Sequence, residues 1–457
     1  MFIDTHAHLF YPNFEGDLDE VVARARQNDV DYILVPATDI KTAEQVIDLT
    51  EKYEMVYGAV GIHPHDTKDW TSSLISKIEK LAKNKKIVAI GEIGLDYYYD
   101  FSPKEKQIEA FKAQIELALK LNLPVIIHNR DSDEDVMEII RSYCGTGLKA
   151  QFHCFNGSIE DAMELVGMNF MISFTGNITF KKADNLRKIL QHIPPENLLL
   201  ETDSPFMTPV PHRGKRNEPS YVKYVAEQIA ELHKLRLIDV ARITSFNTFR
   251  TFGIGSKSES ALTYTLGNSL YINVTNRCNA HCVFCKRKEN PILRGYNLGM
   301  ERSEEPDADV YIKEIGNPNE YNEIVFCGYG EPTIRWDVVK DISKYVKVNG
   351  GKTRLNTNGH GNFINKKDII PEMKDLIDIV SISLNTFDRK QYSKLVGLET
   401  SYFDEMIEFA KKSKPFVEQV VMTIVSIDEV DIERARKITE EEIGAEFRVR
   451  EFFSSEG

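Results

Sequence analysis

Long apolar runs are missing from this chain of 457 residues. None approaches the ~18–20 residues that span a bilayer, so no membrane partner is expected. A basic excess is missing too: 57 Lys and Arg face 70 Asp and Glu, a net charge of −13. That argues against a basic, non-specific nucleic-acid coat. It leaves a nuclease open, because a metal ion supplies local positive charge inside an acidic protein. Gly (26) and Pro (17) are too few for a collagenous or disordered chain. Cysteine is scarce, six residues in all, so disulfides do not build the fold. The stretch Met1-Phe2-Ile3-Asp4-Thr5-His6 lacks a basic region followed by an apolar core. No signal peptide is therefore expected, and a cytoplasmic location is.

What is present is alternation. In the first half, β-like runs at residues 2–4, 32–36, 56–60, 87–90, 124–127, 149–152, 171–174 and 198–200 are separated by amphipathic stretches such as 103–121 and 132–143. Helical patterns at 218–234 and 237–252 close this half. Eight strands with interleaved helices describe a TIM-like (β/α)8 barrel; the rival is an open, doubly wound sheet. Polar residues favour the barrel, because His and carboxylates follow strand after strand, as a ring at one mouth requires. The segment 253–260 is small and polar, which places domains at 1–254 and 266–457 with a linker at 255–265. The second half restarts with strand-like runs at 269–274, 323–326, 353–356, 379–384, 419–425 and 446–450. Six strands suit a partial (β/α)6 barrel.

The first candidate site is a set of ligands at strand ends. His6 and His8 are two apart on a β-like segment, so both imidazoles face one way. Glu92 follows the fourth strand, His128 ends the fifth, His153 the sixth and Asp203 the eighth. Four imidazoles and two carboxylates suit Zn, Mn or Mg, and hold two ions if one carboxylate bridges. Such a pair clamps the attacking and leaving oxygens in phosphodiester hydrolysis. His63 and His65 follow the third strand, and His63 is taken as a further catalytic or orienting residue. Cys154, directly after a ligand, is expected to point into the core. Arg213 and Lys215, in the basic segment after Asp203, are candidates for substrate phosphate.

These residues resemble the TatD family of metal-dependent deoxyribonucleases. The matching stretches are Asp4-Thr5-His6-Ala7-His8, Gly61-Ile62-His63-Pro64-His65, Gly91-Glu92-Ile93-Gly94-Leu95-Asp96, Phe152-His153-Cys154-Phe155-Asn156-Gly157 and Glu201-Thr202-Asp203-Ser204-Pro205. The resemblance runs from Met1 to about Gly253. It implies a TIM-like barrel, the six ligands His6, His8, Glu92, His128, His153 and Asp203, and DNA hydrolysis of the 3′→5′ exonuclease type, with Glu92 and Asp203 catalytic.

The second candidate site is Cys278-Asn279-Ala280-His281-Cys282-Val283-Phe284-Cys285, after the first strand of the second half. Three thiolates hold three irons of a cubane and leave the fourth open. A structural zinc would want a fourth ligand, and His281 inside the loop reaches poorly. Phe284 is placed to pack on an adenine. Gly330 and Glu331, in Gly328-Tyr329-Gly330-Glu331-Pro332, offer close backbone approach and a carboxylate for an amino group. Asn356 and Asn358 end the third strand, and Ser383 and Asn385 the fourth; these small polar groups suit a carboxylate or ribose. This half resembles the radical SAM superfamily, including its compact members associated with TatD enzymes. The resemblance implies one 4Fe–4S cluster, S-adenosylmethionine, and an electron donor such as flavodoxin or ferredoxin. Cys327 is read as a core strand residue, and no second cubane is expected.

Three functions follow: a DNA hydrolase fused to a radical SAM enzyme, a small-molecule hydrolase acting on the radical product, or one half serving as a non-catalytic binding module. Complete ligand sets in both halves count against the third.

Overall fold

Strands buried on both faces read as near-continuous apolar runs, and the first half follows that rule. The computed structural model describes residues 1–256, 259–285, 291–426 and 430–450. It divides near residue 257 into two units, each described here by itself. In the first unit, β1 (Phe2–Asp4), β2 (Val30–Pro36), β3 (Val56–Val60), β4 (Ile87–Asp96), β5 (Val125–Arg130), β6 (Ala150–Phe152), β7 (Met171–Phe174) and β8 (Leu198–Leu200) lie in chain order. All neighbouring pairs are parallel. The sheet closes just past β8 and β1: Thr5 N donates to Leu200 O at 2.9 Å, Asp203 N to His6 O at 2.8 Å and His8 N to Ser204 O at 2.8 Å. The barrel therefore stands and the open sheet falls.

One set of strand side chains packs on the helices. The other set, Ile3, Leu34, Ala59, Ala89, Ile126, Met171 and Leu199, forms a separate apolar layer with Phe252 and Ile254. A buried polar group comes next along the strands. The Gln151 side-chain amide lies 2.8 Å from Thr5 Oγ1, 2.9 Å from Ser173 Oγ and 3.1 Å from Glu201 Oε2. The apolar layer and the three bonds of the Gln151 amide N–H₂ together fix the strand ends that carry the site.

The second unit carries β9 (Thr263–Leu266), β10 (Ser269–Ile272), a small hairpin of β11 (Ile292–Leu293) and β12 (Tyr296–Asn297), then β13 (Ile324–Phe326), β14 (Thr353–Thr357), β15 (Ile379–Ser383), β16 (Gln419–Val425) and β17 (Glu446–Arg450). The sheet order is β9-β10-β13-β14-β15-β16-β17, parallel throughout except β9 against β10. The six parallel strands are those expected. Residues 263–265, expected as linker, are strand instead. Gly267, at φ +59°, turns the chain so that Tyr264 stacks on Tyr271 with ring centroids 5.1 Å apart. Leu270, Ile272, Phe326, Leu355, Val380 and Met422 pack into the core. Period-two geometry gives the other face to Tyr271, Cys327, Arg354, Asn356, Ser381 and Ser383. Cys327 is thus not the core residue expected: it is partly exposed and stands next to Arg450. Among the described residues no helix is long and apolar enough to cross a membrane.

Candidate active sites

The metal ring is built on strand ends, with one revision. Glu92 does not follow the fourth strand; β4 runs on to Asp96. A register irregularity between Ile90 and Ile93 re-aims the chain there, which is what such bulges do beside active sites. Gly94, at φ +141°, passes so close to β5 that a Cβ would meet His128 O at 1.9 Å.

Glu92 lies at the centre. Its Oε2 faces His6 Nε2 at 3.3 Å and His8 Nε2 at 3.5 Å, and His8 Nε2 is also 3.5 Å from Asp203 Oδ1. Its Oε1 faces His153 Nε2 at 2.8 Å, His128 Nδ1 at 2.9 Å and His63 Nε2 at 3.5 Å. The six expected ligands converge, and His63 joins them. One carboxylate thus addresses two groups of donors, the arrangement of a bridging ligand. The donor chemistry fits cations: His6 Nε2 and His8 Nε2 approach to 3.2 Å, as do His128 Nδ1 and His153 Nε2. In the neutral form that ligates metal, ring nitrogens this close are best satisfied by an ion between them.

Charge agrees with this. Burial alone would raise the Glu92 carboxyl, but His153, His63 and His6 outweigh it and hold it well below its ordinary range. Burial likewise opposes Asp203, yet its contacts with His8 keep it low. Burial lowers His6 to about 3 and His63 to about 4, so both are neutral. Burial also disfavours the His153 imidazolium, but the Glu92 charge beside it wins and carries it up to about 9.

Three acids hold the ligands from behind, and none was assigned a role from the sequence. Asp96 Oδ2 takes His65 Nε2 at 2.7 Å and His128 Nε2 at 3.1 Å. Asp4 accepts from Thr202 Oγ1 at 2.6 Å and from His6 N at 3.2 Å, tying β1 to β8. Glu201 accepts from Cys154 N at 2.6 Å and lies 4.0 Å from His153 Nδ1. Two signals were available: Asp4 precedes His6, and Glu201 precedes Asp203, by the same two residues that relate His6 to His8. Cys154 departs from its expected core position. It is partly exposed, its sulfur near Thr175 Oγ1 at 3.7 Å, and burial first and Asp203 second push its thiol well up. Arg213 and Lys215 are exposed. Arg213 lies over the Phe180 ring at 4.2 Å, and Arg216 is committed to Asp17 at 2.6 Å.

The second site gathers around the cysteine loop. Cys278, Cys282 and Cys285 are partly exposed. Among the described residues, the triplets of donor atoms within 4.8 Å of one another all belong to the first unit, and the three cysteines form none. A single zinc bound at ~2.3 Å needs such crowding; a cubane, whose thiolates sit on different irons, does not. Asn358 reaches the loop, with Nδ2 2.8 Å from Asn279 Oδ1 and 3.9 Å from Cys278 Sγ. Gly330 abuts it: a Cβ there would meet Thr275 O at 2.1 Å. The side-chain amide oxygens of Asn356 and Asn385 are buried with no partner among the described residues, which suits a polar cofactor. Phe284 packs on the core, and Ser383 accepts from Arg450 at 3.3 Å. Glu331 is spoken for by its own chain. It accepts from Thr333 Oγ1 and Thr357 Oγ1 at 2.7 Å each and from Asn358 N at 2.8 Å, and burial raises its carboxyl.

Comparison with known proteins identifies the family of each half. Residues 3–253 match the family model described as TatD related DNase, and residues 272–441 match that of the radical SAM superfamily. The uncharacterized metal-dependent hydrolase YabD of Bacillus subtilis is 48% identical over 254 residues, 56% of this chain and 100% of that protein. The 3′-5′ ssDNA/RNA exonuclease TatD of Shigella flexneri is 34% identical over 257 residues, 55% of this chain and 98% of that protein. The crystal structure of YJJV, a TatD homologue from Escherichia coli, superposes with a TM-score of 0.53 at 31% identity, covering 56% of this chain and 98% of that one. The chain is an enzyme that belongs to the TatD related DNase family, a metal-dependent hydrolase fused to a radical SAM domain.

Proposed function

We propose that the first half hydrolyses phosphodiester bonds in DNA from the 3′ end and that the second half is a 4Fe–4S radical SAM enzyme. The observation that carries the first reading is Glu92, whose two oxygens address two donor groups. When bound, two divalent ions (Mg, Mn or Zn) polarise the phosphoryl group and ready a water for attack. The chain's own residues do the rest. His8 accepts or donates through Nδ1 only to Pro36 O, a carbonyl, so Nδ1 carries the proton and Nε2 is a free donor. His63 is the reverse: Nδ1 accepts from His65 N, so Nε2–H is left to donate a hydrogen bond to a phosphoryl oxygen. Asp203, held ionised beside His8, is placed to take the proton of the attacking water. Arg213 and Lys215 receive substrate phosphate.

In the second half, Cys278, Cys282 and Cys285 would hold the cluster, which would pass on the electron needed for reductive cleavage of S-adenosylmethionine. Phe284, Gly330, Asn356, Asn358, Ser383 and Asn385 line the cofactor, and Glu331 shapes the loops that carry Gly330 and Asn358. A flavodoxin or ferredoxin supplies the electron. Such a cluster suits the reducing cytoplasm.

The net charge of −13 favours a second reading, a hydrolase acting on a small product of the radical half. One experiment separates them. The purified chain with Mg, Mn or Zn is offered single- and double-stranded DNA, RNA, and a panel of small esters and amides. Release of mononucleotides from a 3′ end, reduced on the order of a thousandfold or more by Glu92→Ala, is expected. Cleavage of small esters or amides with no oligonucleotide cleaved establishes the second reading.

A further inference from the structure

Aromatic side chains stand in solvent beside the metal ring. Tyr98 is 57% exposed, Tyr99 40% and Phe101 57%. Surface aromatics at such exposure, grouped and next to a reactive centre, mark a binding surface. Tyr99 and Phe101 stack on each other, 5.2 Å between centroids and 15° between planes. Both reach His65, at 5.3 and 4.9 Å. Arg130 lies over Tyr98 at 4.0 Å and Tyr99 at 4.9 Å, and it forms no ion pair among the described residues.

The group is held in place rather than merely exposed. Asp96 Oδ1 accepts from the backbone N–H of Tyr98 and of Tyr99, both at 3.0 Å, while its Oδ2 holds His65 and His128. One carboxylate therefore fixes the aromatic turn and a metal-facing imidazole together. Ser102 Oγ donates to His65 O at 2.8 Å, and Gln107 Nε2 donates to Ser102 O at 2.9 Å, which pins the far end of the turn.

We propose that Tyr98, Tyr99, Phe101 and Arg130 form a stacking platform for the bases of a single-stranded nucleic acid whose phosphodiester lies at the metal ring. The proposal rests on the nucleic-acid reading of that ring. Two physical arguments select this ligand. A chain with a net charge of −13 cannot hold a polyanion by general attraction, so affinity must come from local contacts. Ring faces beside an unpaired guanidinium are the contacts that single strands use, since every base offers a π-face and the guanidinium meets the backbone. A duplex hides those faces inside its own stack, so the platform selects frayed or single-stranded ends.

The test uses the full chain loaded with Mn, a single-stranded oligonucleotide, and a deoxyribose-phosphate oligomer of equal length without bases. The wild type is expected to prefer the base-bearing strand. Tyr99→Ala/Phe101→Ala should raise KM on that strand by about tenfold or more, the effect of losing a base–aromatic contact, while kcat and bound Mn hold. The variant's preference over the abasic oligomer should collapse, and Tyr99→Trp should keep it. These side chains are exposed, so the variants fold. Equal losses on both oligomers, or no loss on the base-bearing one, would overturn the platform. A wild type that cleaves both oligomers equally overturns it and leaves the nuclease reading intact. A wild type that cleaves neither removes both.

Discussion

The two sheets use their second faces in opposite ways. In the first unit the residues turned away from the helices are apolar, Ile3, Leu34, Ile126, Met171 and Leu199 among them, and they form a layer of their own. In the second unit the corresponding positions are mostly polar around buried Val325 and Val421: Tyr271 and Arg354 hydrogen-bond at 3.2 Å, and Arg450 meets Ser383 at 3.3 Å. A closed, packed barrel gives its mouth rigid walls, and metal ligands can be set to tenths of an ångström before any ion arrives. A sheet that leaves its inner face polar keeps room for a large cofactor and a substrate. Its cysteine loop is tied by backbone bonds to the end of the helix Arg389–Val396, such as His281 N to Val396 O at 2.8 Å. The first site is preorganised by packing; the second is to be completed by its cluster.

The largest effects should show whether the two sites are independent. Replacing Cys278, Cys282 or Cys285 singly by Ser should take iron from about four per chain to almost none after anaerobic reconstitution. 5′-Deoxyadenosine formation should vanish, metal-dependent hydrolysis should persist, and Cys327→Ser should keep the cluster. Iron and sulfide analysis checks this; stoichiometric zinc without iron would refute the cluster.

A smaller loss should follow from Asp96→Asn. It leaves every ligand in place but loosens His128, so metal affinity or hydrolysis should fall by about 10–100-fold. Titration with Mn and activity at saturating Mn would separate the two. An unchanged variant would mean that packing alone sets the ring.

Preorganisation also predicts a proton count. Before metal binds, His153 is held protonated up to about pH 9 by Glu92, whereas His6 and His63 are already neutral. Ligation needs the neutral imidazole, so uptake releases the His153 proton, and His128, raised against burial by Asp96 and Glu92, adds to it; apparent affinity should rise by at least about tenfold per pH unit up to that value. Calorimetry in two buffers of different ionisation enthalpy counts the proton. A pH-independent affinity above pH 7 would contradict it.

The smallest effect is expected at Glu331. Glu331→Gln puts an amide N–H₂ where hydroxyl and amide donors converge, and should cost about 1–3 kcal/mol in the second unit. Thermal unfolding followed by cluster absorbance reads this. A variant of unchanged stability that fails to bind S-adenosylmethionine would return the carboxylate to the cofactor.

Much of this was legible in the chain because chemistry and period were local. His6 and His8 share a side by period two; the cysteine spacing requires no fold; eight and six strands can be counted from apolar runs. Glu92 was legible as a ligand but not as a member of β4, because a bulge is a matter of pairing with β3 and β5. Strand β9 was hidden in a polar segment, because its partner β10 supplies its reason. Cys154 looked like a core residue because it directly follows a ligand candidate, and Cys327 because it ends a strand, and the face each turns was set elsewhere.

By itself, then, the sequence determined the class of both sheets and the family, and it singled out the residues proposed to face the metals and the cluster, since these rest on residue type and spacing. Tertiary structure alone decided that Glu92 lies between two donor groups, that Asp96 ties His128 to the aromatic turn, and that Glu331 is bound to its own chain. Each of those is a distance between side chains far apart along the chain. Spacing says nothing of such distances until the sheets have formed and the loops at their ends have packed.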